Sequence, residues 1–76
     1  MISPAQCRAA RALVEMDQAA LASASNVSRN TIVDFEKGRR VPTTNNLAAI
    51  RAALEGAGVI FVEENGEGPG VRLRKK

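Results

Sequence analysis

The sequence predicts a mainly α fold: four short helices followed by a C-terminal β-hairpin. Three observations predict it. Apolar residues recur at three- and four-residue spacing as far as Leu54. Each of these runs opens on a residue able to cap a helix. After Gly58 the spacing changes to the period of a strand, around a turn rich in glycine.

The first helix opens at Ser3, with Pro4 at its first position and Gln6 three residues after the cap. Alanine and arginine carry it to about Glu15. Cys7, Ala10 and Val14 form its inner face. Asp17 caps a second helix, Gln18 to Ser23, with Leu21 and Ala22 turned inward. The stretch Ala24-Ser25-Asn26-Val27 breaks it, and Asn26 is the residue there best able to turn left-handed. Ser28 caps a third helix, Arg29 to Lys37, with Ile32 and Phe35 on one face and Gly38 closing it.

The segment Arg39-Arg40-Val41-Pro42-Thr43 reads as a loop, since proline disfavours helix before it. Thr44 or Asn45 caps a fourth helix reaching Leu54 or Glu55, and Leu47, Ile50 and Leu54 make its stripe. Val59 to Val62 is β-branched and aromatic. Asn65 to Gly70 is turn chemistry, and Val71 to Arg74 alternates apolar with basic. Residues 1–57 form the helical part. Residues 58–76, the hairpin and basic tail, are a second element of the same small domain.

Composition excludes much chemistry. The 76 residues include no histidine, tryptophan or tyrosine and one cysteine. The commonest general base is missing, no cysteine cluster can hold zinc, and no disulfide staples the fold. Neither an enzyme nor a cofactor is expected, and no small-molecule ligand. No apolar run approaches the ~20 residues of a membrane span, and no basic-then-apolar leader opens the chain. The expectation is a cytoplasmic protein with no membrane partner. Such a short chain buries only about 60–65% of the surface its unfolded form exposes, which favours association. Cys7, Met16 and Phe35 read as core.

The formal net charge of +3 is unevenly placed. Residues 1–38 hold four basic and four acidic side chains, whereas 39–76 hold seven and four. The excess lies in Arg39, Arg40 and the tail Arg72, Arg74, Lys75 and Lys76, and suits a polyanionic partner without demanding one.

Two short helices joined by a tight turn in a small basic domain follow the helix-turn-helix plan. The run Asp17-Gln18-Ala19-Ala20-Leu21-Ala22, then Asn26-Val27-Ser28-Arg29-Asn30-Thr31-Ile32, then Phe35-Glu36-Lys37-Gly38-Arg39 resembles the phage repressor and Cro-type regulators, also called xenobiotic-response-element regulators. Their pattern is Gln-x-x-Leu-Ala, Gly-Val-Ser, Thr-Ile and Glu-x-Gly-x-Arg. The likeness covers about residues 5–55 without gaps. Two departures stand out. Asn26 replaces the family's turn glycine, and a hairpin stands where many members have a fifth helix. The family's dimer geometry therefore does not carry over.

The resemblance implies a lambda-repressor-like domain that binds double-stranded DNA and regulates transcription, most often as a repressor and a homodimer. It would associate with the nucleoid through its DNA. Arg29, Asn30 and Asp34 then occupy the outward positions of a recognition helix. The chemistry agrees: arginine can bond guanine O6 and N7, asparagine can pair with adenine, and Val33 can meet a thymine methyl. Asp34 can accept from cytosine N4 or simply repel phosphate. Gln18 is implied to hold a phosphate and brace the recognition helix, where a helix N-terminus favours an anion in any case. Ser28 and Thr31 are caps or phosphate contacts. Arg39, Arg40, Thr43 and Asn45 are phosphate contacts that position without reading sequence. Arg51 reads as solvated. Arg11 and Glu36 take the family's positions for an ion pair joining the first helix to the third.

Two readings of the hairpin stay open. Val59, Phe61, Val71 and Leu73 either close the helical core or join two chains into a dimer. A rival function is a protein-interaction module, antitoxin- or antiactivator-like, that binds a partner protein through the hairpin.

Overall fold

The computed structural model describes residues 1–75. Its elements in chain order are α1 (Pro4–Leu13), α2 (Gln18–Ser25), α3 (Arg29–Glu36), α4 (Thr44–Gly56), β1 (Val59–Val62) and β2 (Gly70–Leu73). Local chemistry sets most boundaries. Ser3 and Gln6 form a reciprocal capping box, and Asp17 and Ser28 cap α2 and α3 by accepting from Ala20 N–H and Thr31 N–H. Asn26 takes the left-handed conformation at φ 56° and ends α2. Gly38, at φ 75°, lets Arg39 N–H turn back onto the Asp34 carbonyl, which ends α3.

Six boundaries differ from the sequence reading, two of them by only one or two residues at a helix end: α3 stops at Glu36 with Lys37 as its C-cap, and α4 runs on to Gly56 instead of stopping at Leu54 or Glu55. α1 stops at Leu13, not Glu15. Glu15 itself is left-handed at φ 57°, so that its N–H reaches the Ala12 carbonyl and Met16 N–H reaches that of Arg11. This Schellman turn needs a left-handed residue, whatever the side chain. α2 runs on to Ser25, whose hydroxyl donates to the Leu21 carbonyl. The cap of α4 is Thr43, not Thr44 or Asn45, because its Oγ1 accepts from Asn46 N–H. β2 is shifted back by one residue, with Val59 opposite Leu73 and Phe61 opposite Val71. A left-handed glutamate costs roughly 1–2 kcal/mol. Glu15→Gly is therefore expected to raise thermal stability by up to ~1 kcal/mol after glycine's greater chain entropy is offset; an unchanged or lower melting temperature would contradict this.

One core joins all six elements. Ile2, Cys7, Ala10, Leu21, Val27, Ile32, Phe35, Leu47, Ile50, Leu54, Val59 and Phe61 are buried together, with Val14, Met16, Ala22 and Val71 packed against them. Val59 and Phe61, two of the residues proposed for a dimer contact, are thus committed to the chain's own core. Their strand alternates inward and outward side chains, and the inward row lies against the helices. Leu73 is different. It is half exposed at 50%.

Gln6 fastens the hairpin to α1. Its side-chain amide donates to the Val62 carbonyl at 3.2 Å and the Gly70 carbonyl at 3.0 Å, while its oxygen accepts from Ser3 N–H. At the other end of the hairpin, the Arg74 guanidinium reaches the Glu55 carbonyl in the last turn of α4, where a cation suits the helix dipole. Arg51 is not simply solvated. It sits over the Phe61 ring, 5.3 Å from its centre, and pairs with Glu55.

Candidate nucleic-acid interface

The buried Glu36 carboxylate organises the site. It stands at the end of α3 with its side chain 2% exposed. Oε1 accepts from Arg11 Nη2 at 2.8 Å and Gln18 Nε2 at 3.1 Å. Oε2 accepts from Arg11 Nε at 2.7 Å and Cys7 Sγ at 3.1 Å. Four donors on two oxygens leave the buried charge fully partnered, and the Arg11 contact is the bidentate form. Burial alone would raise the carboxyl pKa, but the hydrogen bonds from Arg11, Cys7 and Gln18 together hold it below its ordinary value. Burial and the neighbouring carboxylate push the Cys7 thiol far up, which leaves it protonated and donating.

Through this carboxylate three helices meet. Arg11 comes from α1 and also donates to the Met16 carbonyl in the turn before α2. Gln18 comes from the first residue of α2, and Glu36 from the last of α3. Arg8 adds a second strap from α1, donating to the Glu36 carbonyl. That satisfies an orphan acceptor at the end of α3 with a cation. In the sequence Arg8 is one of the four basic residues of 1–38 and Cys7 is a core residue by its spacing, with no sign of either bond. Their partners lie 28 and 29 residues away, beyond any local pattern.

The braced helix α3 presents its opposite side to solvent. Arg29 and Asn30, in its first turn, are exposed, while Val33 and Asp34 are half-buried on the same side. Thr31, Ile32, Phe35 and Glu36 are the buried residues. Beside Arg29 lies an open polar cleft, lined also by Arg11, Asp17, Gln18 and Ala19. Arg11 is already neutralised by Glu36 there, and the Asp17 carboxylate caps α2. Arg29 is the free cation of the cleft among the described residues.

The loop after α3 folds back along it. Arg40 Nη1 donates to Thr31 Oγ1 at 3.3 Å, and that oxygen also shares a 2.8 Å hydrogen bond with Ser28. Thr31 is therefore almost buried and engaged on both sides, whereas Ser28 and Arg40 remain at the surface. Arg39, Thr43 and Asn45 are exposed, and Thr43 also caps α4. Arg72, Arg74 and Lys75 are exposed on the hairpin and tail. Lys76, the last candidate of that tail, lies outside the described residues.

A braced helix, a left-handed turn before it and a cationic first turn match a known arrangement. The helix-turn-helix family model matches residues 8–56, from within α1 to the end of α4. The chain belongs to the helix-turn-helix family. It is a DNA-binding transcription regulator of a typically non-enzymatic kind. No curated protein matches the chain. Among the described residues, no helix is long and apolar enough to cross a membrane.

Proposed function

We propose that this helix-turn-helix protein is a sequence-specific repressor of phage repressor and Cro type. It binds an inverted-repeat operator as a homodimer, with α3 in the major groove of each half-site. It acts in the cytoplasm, on the nucleoid. The observation that carries this reading is the exposed pair Arg29 and Asn30 on the first turn of α3, set on a helix held from behind by a fully bonded carboxylate. Guanine and adenine edges are their natural partners, while Val33 and Asp34 read further along the groove. Gln18, Ser28, Arg39, Arg40, Thr43 and Asn45 take phosphates, with Thr31 holding Ser28 and Arg40 in place. Residues 58–76 serve as the dimerisation element, and repression follows from occluding polymerase.

Selection of bound duplexes from a random pool at near-physiological salt tests this. An enriched inverted repeat is expected, with half-sites about one helical turn apart. A single unrepeated half-site would count against the dimer. No enrichment by folded protein would overturn DNA reading and favour a module that binds a partner protein through the hairpin. Equal binding to all duplexes with a steep salt slope would indicate non-specific association.

A further inference from the structure

We infer that the second copy docks on the free edge of β2, antiparallel and with Val71 opposite Val71, so that the two hairpins join into one four-stranded sheet. The inference rests on the dimeric reading above and adds its geometry.

The hydrogen-bond phase of the hairpin identifies the edge. Arg74 N–H donates to the Gly58 carbonyl at 2.7 Å. With Val59 opposite Leu73 and Phe61 opposite Val71, alternation makes Ile60–Arg72 and Val62–Gly70 the bonded pairs. Val71 and Leu73 therefore aim their backbone N–H and C=O away from β1. Pro69 has the same phase, so its missing N–H costs the hairpin nothing. β1 bears no basic residue, and the charges that follow it, Glu63 and Glu64, are both acidic, so two copies of its edge would not complement each other. On the β2 side Arg72, Leu73 and Arg74 are exposed.

Charge says what covers that edge. The turn end of the hairpin carries Glu63, Glu64 and Glu67, and the other end carries Arg72, Arg74 and Lys75, all exposed. Glu64 is used within the turn, accepting from Gly66 and Gly68 N–H. A two-fold antiparallel pairing lays the basic end of one copy along the acidic end of the other. Such a hairpin complements itself.

Two registers offer the same number of backbone bonds. Placing Val71 opposite Leu73 of the second copy sets Arg72 directly against Arg72, and like charges in that position repel. Placing Val71 opposite Val71 avoids this. It puts Leu73 against Pro69, Arg72 against Gly70 and Lys75 beside Glu67 of the second copy. The half-exposed Leu73, on the core side of the sheet, then gains an apolar neighbour.

Oxidative cross-linking of Val71→Cys and Arg72→Cys tests the register, alongside sedimentation of the unaltered protein in low salt. Cys7 is fully buried and does not compete. Opposed residues fall within disulfide reach, whereas Arg72 and its copy are two positions out of register. A covalent dimer from Val71→Cys alone is expected. Cross-linking of Arg72→Cys alone would overturn the register. A dimer in sedimentation with neither variant cross-linked would overturn the β2 edge and leave the dimeric reading standing. A monomer at every concentration would overturn both. Charge reversal checks the pairing without touching Val71. Lys75→Glu and Glu67→Lys should each weaken the dimer several-fold, and combining them should restore it; a double variant no tighter than the singles would contradict the pairing.

Discussion

The Glu36→Gln variant is expected to lose ~3 kcal/mol of stability. That is a large share of the ~5 kcal/mol typical of a small domain, and it corresponds to a fall in melting temperature of roughly 12–24 °C. The amide leaves Arg11 half-buried without its carboxylate, and it places an NH2 group where Oε1 or Oε2 accepted from a donor. Removing one partner of a buried pair is costlier than removing both. Arg11→Met with Glu36→Leu should therefore be more stable than either single variant. A thermal melt of Glu36→Gln that overlays the parent would show that the pair contributes nothing.

The same carboxyl sets an acid limit. Its folded-state pKa is depressed below the ordinary value. Its stabilisation is therefore complete above the unfolded carboxyl pKa, about 4.3, and is lost as pH falls through the lower folded value. Parent stability should drop steeply below about pH 4, and the drop should be shallower in Glu36→Gln. Equal slopes in acid titrations of the two would remove Glu36 from that account.

The second large effect is on DNA. Arg29→Ala is expected to weaken binding to the selected operator roughly 10- to 100-fold, the range of one bidentate base contact, and to relax preference at one base pair. Asn30→Ala should act similarly at a neighbouring position. Both residues are exposed, so the fold should be unaffected and circular dichroism unchanged. Arg39→Ala should instead weaken all duplexes alike and flatten the salt dependence, as loss of a phosphate contact does. Titrations against operator and scrambled duplexes separate these outcomes. Uniform weakening by Arg29→Ala would move that residue from reading bases to holding backbone.

Much of this architecture was legible because its causes are local. The caps Ser3, Asp17 and Ser28 act on N–H groups three residues on, and Asn26 and Gly38 end helices through their own backbone angles. The left-handed Glu15 escaped notice because nothing in a glutamate side chain announces that angle. Thr43 was passed over beside Thr44 for a similar reason, since adjacent capping residues differ only once the helix has a phase. For the site, the outward position of Arg29 and Asn30 followed from helical periodicity together with the resemblance. The pairing of Arg11 with Glu36, 25 residues apart, came from the resemblance alone.

The sequence by itself determined that there are four helices, that the first three open on the caps Ser3, Asp17 and Ser28, where period 3.6 gives way to period two, and which side of α3 is polar. These depend on interactions within a few residues. Only the tertiary structure decided that one carboxylate gathers Arg11, Gln18 and Cys7, and that Arg8 straps the end of α3. It also decided that Gln6, a capping residue in the sequence, pins both hairpin strands, and that Val59 and Phe61 belong to the core. Those contacts join residues 18 to 64 positions apart. They exist only because burying one apolar surface forces the helices and the hairpin together. Their polar groups must then find partners among whatever that packing brings near.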